Sequence, residues 1–512
     1  MTETKVHFRK EEPEKSEAET LAFFVFEGEV PGAARGIDAK LGGEVKKHAD
    51  SDKFKGKGLE VFVHHTLGKS SAKRVMLIGL GKKEEFFFDQ LRRAAAIGAI
   101  YARDSTFKSA VFVLPNPSEL KSDARSVARG IVEGALLGVY RYAEFKTEQK
   151  EIDELKEKEL KEITIIASNG INEKEAEEGK RIGEILGRSA NYTRDLANAP
   201  SNILTPRGLA EKAAELAKMH GLKNSSIVGK EACKKAGFGA LMAVNSGSDQ
   251  DPAMIVLEYS CGKKDAPTIA VVGKGINFDS GGISIKPSKG MELMKHDKSG
   301  ASAVLGIMDA ASHLKLDVNL IGIAACTENM PSGSAYKPGD VVKTYSGKTI
   351  EILNTDAEGR VILSDALALA ASKKPDAIID MATLTGAVVI ALGSIVSGEM
   401  GNNKDLLKQI FEAGEKSGER TWELPMYADY NEHVKSTIAD VKNVGIGEAG
   451  PISGAKLLEK FIEKVPWVHL DIAGTAYYEK EKPGFCLGAT GYGVRIVIQT
   501  LMDWKELKKE KK

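Results

Sequence analysis

Apolar residues along the chain follow two rhythms. Continuous runs at 21–26, 74–79, 110–114 and 163–167 have strand length. Between them, at about 87–104 and 122–144, apolar positions recur every three to four residues, as on one face of a helix. Strands alternating with helices predict a largely parallel or mixed sheet in residues 1–170. Residues 146–162 are rich in Lys and Glu and predict a solvated helix face. Residues 171–197 predict a long charged linker helix, stopped by the cluster Asn198-Ala199-Pro200-Ser201-Asn202. Thr205 and Pro206 are then expected as N-cap and first residue of a new helix. From 198 to 512 the alternation resumes, with strands at 268–273, 319–325, 377–381 and 467–472 and helices at 300–314 and 363–372. The pattern predicts an α/β fold of two domains, in which active residues gather where strands end and loops begin.

Composition narrows the class. A chain of 512 residues has ample core for two domains, and 42% hydrophobic content with 52 glycines suits a globular enzyme. Lys plus Arg and Asp plus Glu are both 72, so the net charge of +0 supplies no global field for nucleic acid or a membrane surface. Residues 1–15 are charged and hold no apolar segment of the kind a secretory signal needs. Cys233, Cys261, Cys326 and Cys486 are far apart and form no Cys-x-x-Cys pair. Neither a disulfide scaffold nor a cysteine zinc site is expected, and a reducing cytoplasm is the simplest compartment. Residues 381–398 carry no charge, but Thr383, Thr385, Gly386 and Gly393 divide them into a buried strand, a turn and a buried helix instead of a membrane span.

Two stretches carry chemistry. Asn354-Thr355-Asp356-Ala357-Glu358-Gly359-Arg360 alternates two carboxylates and a guanidinium, which suits a strand end or extended loop with all three side chains facing one point. Buried, those carboxylates would need a cation between them; taken alone, an exposed polar turn explains the stretch equally well. Residues 274–297 add Lys274, Asp279, Lys286 and Asp297, separated by glycines that let the backbone approach a ligand. A polar loop with a capping aspartate accounts for Asp297 but not for the lysines. Nucleotide motifs fail: Phe278 stands where a third dinucleotide glycine belongs, and Val63 and Val342 stand where phosphate loops need glycine. No His-Glu-x-x-His or Gly-x-Ser-x-Gly occurs, and the nine histidines include no pair at helical ligand spacing. His64 and His65 would point to opposite faces of a strand; His296 and His469 are read as structural or exposed.

The segments 272–282, 294–297, 354–360, 363–367, 380–387 and 469–474 resemble, in order, the motifs of the leucine aminopeptidase family, over essentially all of 195–495. In the N-terminal domain the likeness is architectural. The resemblance implies a smaller, macro-like N-terminal α/β domain and a larger catalytic domain with a central mixed sheet flanked by helices. It implies two divalent ions, zinc or manganese with magnesium or cobalt as alternatives, bound by Lys274, Asp279, Asp297, Asp356 and Glu358. Asp279 and Glu358 would bridge, Asp356 would complete one site, and Lys274 and Asp297 the other. Lys274 would have to lose its proton to ligate. The ions would activate water against the first peptide bond, Lys286 would serve the oxyanion, and Arg360 would hold a bicarbonate that acts as base. For Arg360, an ion pair with Asp356 or Glu358 is the bland alternative. Met294, Thr383, Leu384 and Gly386 would bind the substrate's leucine-like side chain and backbone. One departure is Lys298, where the family often has Met; the extra cation is expected to tune metal affinity or meet an acidic neighbour. The resemblance further implies a cytoplasmic homohexamer acting on peptides with a free N-terminus. The competing readings are a two-metal phosphoesterase, an added DNA-binding role for which the charge gives no support, and an inactive scaffold.

Overall fold

The computed structural model describes residues 4–29, 34–480, 482, 484–485 and 487–507. Cys486 and the tail at 508–512 lie outside the described residues. The chain divides into two compact units, Met1–Asn191 with Lys480–Leu487, and Tyr192–Glu479 with Gly488–Lys512.

The first unit is a six-stranded sheet in the order Lys5–Lys10, Glu162–Ala167, Ser109–Val113, Leu21–Val25, Arg74–Gly79, Val61–His65. All neighbours run parallel except Val61–His65, which is antiparallel to Arg74–Gly79. The four apolar runs are its central strands. The two outer strands escaped the periodicity because each keeps one face wet: Lys5–Lys10 buries little, and in Val61–His65 His64 is buried while His65 is exposed. Helices Asp89–Asp104 and Ala124–Val139 pack their small-residue faces together. Gln149–Glu157, in the Lys- and Glu-rich stretch, has no buried residue.

Helix Glu173–Asn198 leads into the second unit, and Thr205 caps Pro206–His220 by accepting a hydrogen bond from Gly208 N. The large sheet has nine strands. Its centre is the parallel series Asn319–Asn329, Thr268–Asp279, Ala377–Ala382 and Trp467–Asp471. Ala253–Tyr259 and Ser397–Gly401 flank it antiparallel, so the sheet is mixed. Helices Ser299–Leu314 and Glu358–Ser372 contact this sheet along faces of buried alanine, leucine and isoleucine.

Three expectations are corrected. The strand at 268–273 runs on to Asp279, because Gly273 and Gly275 let neighbouring chain pack against it; a Cβ at Gly273 would stand 2.4 Å from Gly300 O. Residues 356–360 do not form a strand end. Ala357 is the N-cap of Glu358–Ser372, so Glu358 and Arg360 sit on a helix whose amino end favours negative charge. The helix in the uncharged stretch, Gly386–Leu392, is not buried: Val388 is covered, but Ile390 is 90% exposed. No helix among the described residues is long and apolar enough to cross a membrane.

Candidate metal centre

The parallel strands deliver their chemistry at their carboxyl ends. Thr268–Asp279 carries Lys274 and Asp279, and Ala377–Ala382 runs straight into Thr383 and Leu384. Asn319–Asn329 ends in Asn329, and Trp467–Asp471 ends in Asp471. Asp297 closes a 3-10 turn, Met291–Lys298, against the helix that starts at Ser299.

These elements bring four carboxylates and two lysines together. Ligand oxygens of Asp279, Asp356 and Glu358 all lie within 4.8 Å of one another. Lys274 Nζ is 2.9 Å from Asp297 Oδ2 and 2.8 Å from Glu358 Oε1, and donates to Thr383 O at 2.8 Å. Lys286 Nζ is 2.9 Å from Asp279 Oδ2 and also meets Asp356 Oδ1. Lys274, Asp279, Asp297 and Glu358 are buried, whereas the side chains of Lys286 and Asp356 are 21% and 33% exposed.

Four carboxylates against two ammoniums leave a formal charge of −2 in a buried setting, which is costly. The titrations register that cost. Burial, reinforced by Asp279, pushes Glu358 up to about 8, and burial pushes Asp297 up to about 6 against the pull of Lys274. Burial also raises Asp356, although Lys286 opposes it. Burial works against the Lys274 ammonium, but Asp297, Glu358 and Asp279 outweigh it and hold the lysine above its ordinary value. The three carboxylates thus favour the ammonium form of Lys274.

The donor set fits divalent ions. Glu358 Oε2 is a buried oxygen with no hydrogen-bond partner, and Asp297 Oδ2 and Asp356 Oδ1 are met only by the ammoniums of Lys274 and Lys286. Carboxylate oxygens with one amine are hard-to-borderline donors suited to zinc, manganese, magnesium or cobalt.

Arg360 is displaced from the carboxylates by its position on the helix. Its Nη1 donates to Asn443 O at 3.1 Å, its buried Nε has no partner, and among the described residues it makes no ion pair. Burial lowers its pKa. Thr383 does more than line a cavity: its hydroxyl donates to Asp297 Oδ1 at 2.6 Å while its carbonyl takes Lys274. Leu384 and Met294 are half-buried, and Gly386 is exposed with open space where a Cβ would stand. Among the described residues Lys298 forms no ion pair with a carboxylate. Fully buried, it donates to the carbonyls of Ala199 and Lys295, and burial draws its pKa down to about 7.

Several supporting residues were not singled out from sequence. Asn329 Nδ2 donates to Asp279 Oδ1 (2.8 Å) and to Thr355 O (3.0 Å), and Tyr336 donates to the same carbonyl (2.9 Å). Asn443 Oδ1 accepts from Leu353 N (2.8 Å) and its Nδ2 donates to Asn354 O (2.6 Å). Asp471 accepts from Leu384 N and from the Thr385 hydroxyl. His469 is buried against Asp380, Nδ1 to Oδ1 2.6 Å, and His296 stacks on Tyr477, so both histidines are packing elements.

Comparison with known proteins bears on the whole chain. A family model described as "Cytosol aminopeptidase family, catalytic domain" matches residues 191–498, and its companion N-terminal domain model matches 22–149. A probable cytosol aminopeptidase of Roseiflexus castenholzii is 45% identical over 88% of this chain and 92% of its own. One from Aquifex aeolicus is 41% identical over 98% and 99%. Among solved structures, a tomato leucine aminopeptidase mutant superposes with a TM-score of 0.87 at 31% identity, covering 98% of this chain and 97% of its own. The bottromycin maturation enzyme BotP, in complex with Mn, gives 0.83 at 31% identity over 95% and 99%.

Proposed function

The chain belongs to the cytosol aminopeptidase family of metal-dependent exopeptidases, and from that premise we propose that it removes leucine-like residues from peptide N-termini at a two-metal centre. The observation that carries this reading is the convergence of ligand oxygens of Asp279, Asp356 and Glu358 within 4.8 Å of one another, with Glu358 Oε2 buried and without a hydrogen-bond partner. Asp279, Glu358, Asp356, Lys274 and Asp297 would together hold the two ions, zinc or manganese by preference. When bound, the ions supply Lewis-acid polarisation of the scissile carbonyl and a water of lowered pKa.

The protein's own residues do the rest. The neutral α-amine of a peptide N-terminus is a donor that an ion held here would take, and an internal peptide bond cannot offer it. Lys286, the more exposed of the two lysines, is charged because Asp279, Glu358 and Asp356 outweigh its burial. It donates to the carbonyl oxygen as negative charge develops there. Arg360, with its unpartnered Nε, would hold a planar anion, and bicarbonate bound there supplies a base that the committed carboxylates cannot. Thr383 fixes Asp297 and Lys274 through its own hydrogen bonds. Met294 and Gly386 bound the side-chain pocket, and the adaptable methionine suits a broad preference centred on leucine. The Leu384 carbonyl accepts from the substrate backbone.

The proposed assembly is a homohexamer in the cytoplasm. Ile390 and Ile395, 90% and 68% exposed, are apolar surface that a subunit contact would cover. Cys233, Cys261 and Cys326 are all unpaired thiols, in keeping with a reducing compartment.

The test is hydrolysis of leucine amide beside N-acetyl-leucine amide, on chelated protein and after adding back zinc or manganese. Activity restored by metal, and for the free amine alone, supports the reading. Cleavage of the acetylated compound at a similar rate, or activity indifferent to chelation, overturns it.

A further inference from the structure

A second cluster of ligand chemistry lies between two helices of the catalytic unit. His220 ends helix Pro206–His220, while Asp309 and His313 stand one turn apart on Ser299–Leu314. His220 Nε2 is 2.8 Å from Asp309 Oδ1, and His313 Nε2 is 3.6 Å from the same oxygen. The two imidazoles stand at 85° with centroids 4.6 Å apart, and ligand atoms of all three residues lie within 4.8 Å of one another.

A His–Asp hydrogen bond explains the first distance and nothing else. At 3.6 Å His313 is beyond hydrogen-bond reach, yet it turns Nε2 toward the shared oxygen although 52% of its side chain is exposed and could face water. Zinc-type bonds of about 2.0–2.1 Å place tetrahedral ligand atoms about 3.3–3.4 Å apart. The observed 2.8 and 3.6 Å straddle that spacing for the two nitrogen–oxygen pairs. The surroundings are negative: after burial, Asp309, Glu215 and Asp195 are what raise the nearby Tyr192 phenol.

We propose that His220, Asp309 and His313 form a third metal site, one that takes a single zinc-type divalent ion through two imidazole nitrogens and a carboxylate oxygen. The exposed edge at His313 leaves water as the fourth ligand. An ion here would tie the end of Pro206–His220 to Ser299–Leu314, the helix that begins just after Asp297. Its role is structural, and the inference stands whether or not the carboxylate centre is loaded. Helical His–His spacing misses it, since the ligand on the same helix as His313 is an aspartate and His220 lies 89 residues before Asp309.

The carboxylate centre offers oxygen and one amine, so imidazole nitrogen separates the two sites. Chelated wild type and a His220→Gln/His313→Gln double variant would be dialysed against zinc and the metal counted per chain. Cu(II) would then be added to chelated wild type and its EPR spectrum recorded. One ion fewer in the double variant, and a Cu(II) signal coupled to two imidazole nitrogens, are expected. Equal zinc in both proteins, or a Cu(II) spectrum without that coupling, overturns the proposal. The EPR arm is repeated on a His48→Gln protein, which removes the other close imidazole pair among the described residues, His48 with His64, and it decides the matter if the double variant does not fold.

Discussion

A Cβ on Gly359 would stand 2.6 Å from Lys274 Cε and 2.7 Å from its Nζ. The glycine in the first turn of Glu358–Ser372 is therefore the space through which the lysine reaches Asp297 and Glu358. Lys274 cannot swing away, because Thr383 O and both carboxylates hold it in a buried slot. Gly359→Ala should then weaken metal retention at least tenfold and cut leucine amide hydrolysis by about 100-fold or more, the scale on which small misplacements act. Stability should change little, since Ala favours the helix by about 1 kcal/mol over Gly and offsets part of the strain. Metal analysis and thermal unfolding on the same preparation check this; wild-type metal content and rate in the variant would refute it.

Lys286→Met keeps the length of the side chain and removes the ammonium. If Lys286 serves the developing oxyanion, kcat should fall about 10²–10³-fold with KM moving far less. Its two partners, Asp279 and Asp356, would lose a cation that competes with metal for their oxygens, so metal content should be kept or increased. A change confined to KM would assign Lys286 to ground-state binding instead.

Asn443 connects the loop before the metal ligands to its surroundings. Its side chain accepts from Leu353 N and donates to Asn354 O, while its backbone carbonyl receives Arg360. Asn443→Leu deletes the side-chain bonds to the part-buried Leu353 N and Asn354 O, a loss of about 0.5–1.5 kcal/mol per bond. A lower Tm and reduced activity are expected together, with metal content following the rate. A normal Tm with normal kcat would show that the loop holds its shape without Asn443.

The sequence was legible where one chemical constraint acts along a short stretch. A polar turn would explain Asp356 and Glu358 and a cap would explain Asp297, but neither explains the lysines at 274 and 286, and the fold brings Lys274, Asp279, Asp297, Asp356 and Glu358 together. The central strands were equally plain, being buried on both faces and so continuously apolar. What periodicity missed depended on neighbours far along the chain. Val61–His65 is a strand because Arg74–Gly79 offers it an edge, and Asn329 matters because Asp279 and Thr355 lie 50 and 26 residues away. The alternation of Asp356, Glu358 and Arg360 suggested extended chain; the helix prevailed because its amino end can receive a carboxylate. Ile390 reads as core by composition, and nothing local in the sequence says that its helix faces outward.

Glu399 gives a pH signature separate from the metal ligands. It is 1% exposed on strand Ser397–Gly401, Thr421 Oγ1 donates to its Oε2 at 2.6 Å, and its Oε1 has no partner. Burial raises its pKa to about 8, the Thr421 bond opposing and Glu423 adding to the shift. The folded value thus lies above the unfolded one of about 4.3, and folding takes up a proton between them. Its contribution to stability is complete below about pH 4 and is lost as pH rises through about 8. Glu399→Gln keeps the shape and an acceptor for Thr421 but never ionises. The variant should come within about 1 kcal/mol of wild type near pH 5 and exceed it by a margin that grows to on the order of 5 kcal/mol by pH 9. Unfolding of chelated wild type and variant, measured from pH 5 to 9, checks this. A difference in Tm that stays constant across that range would mean that Glu399 does not titrate there.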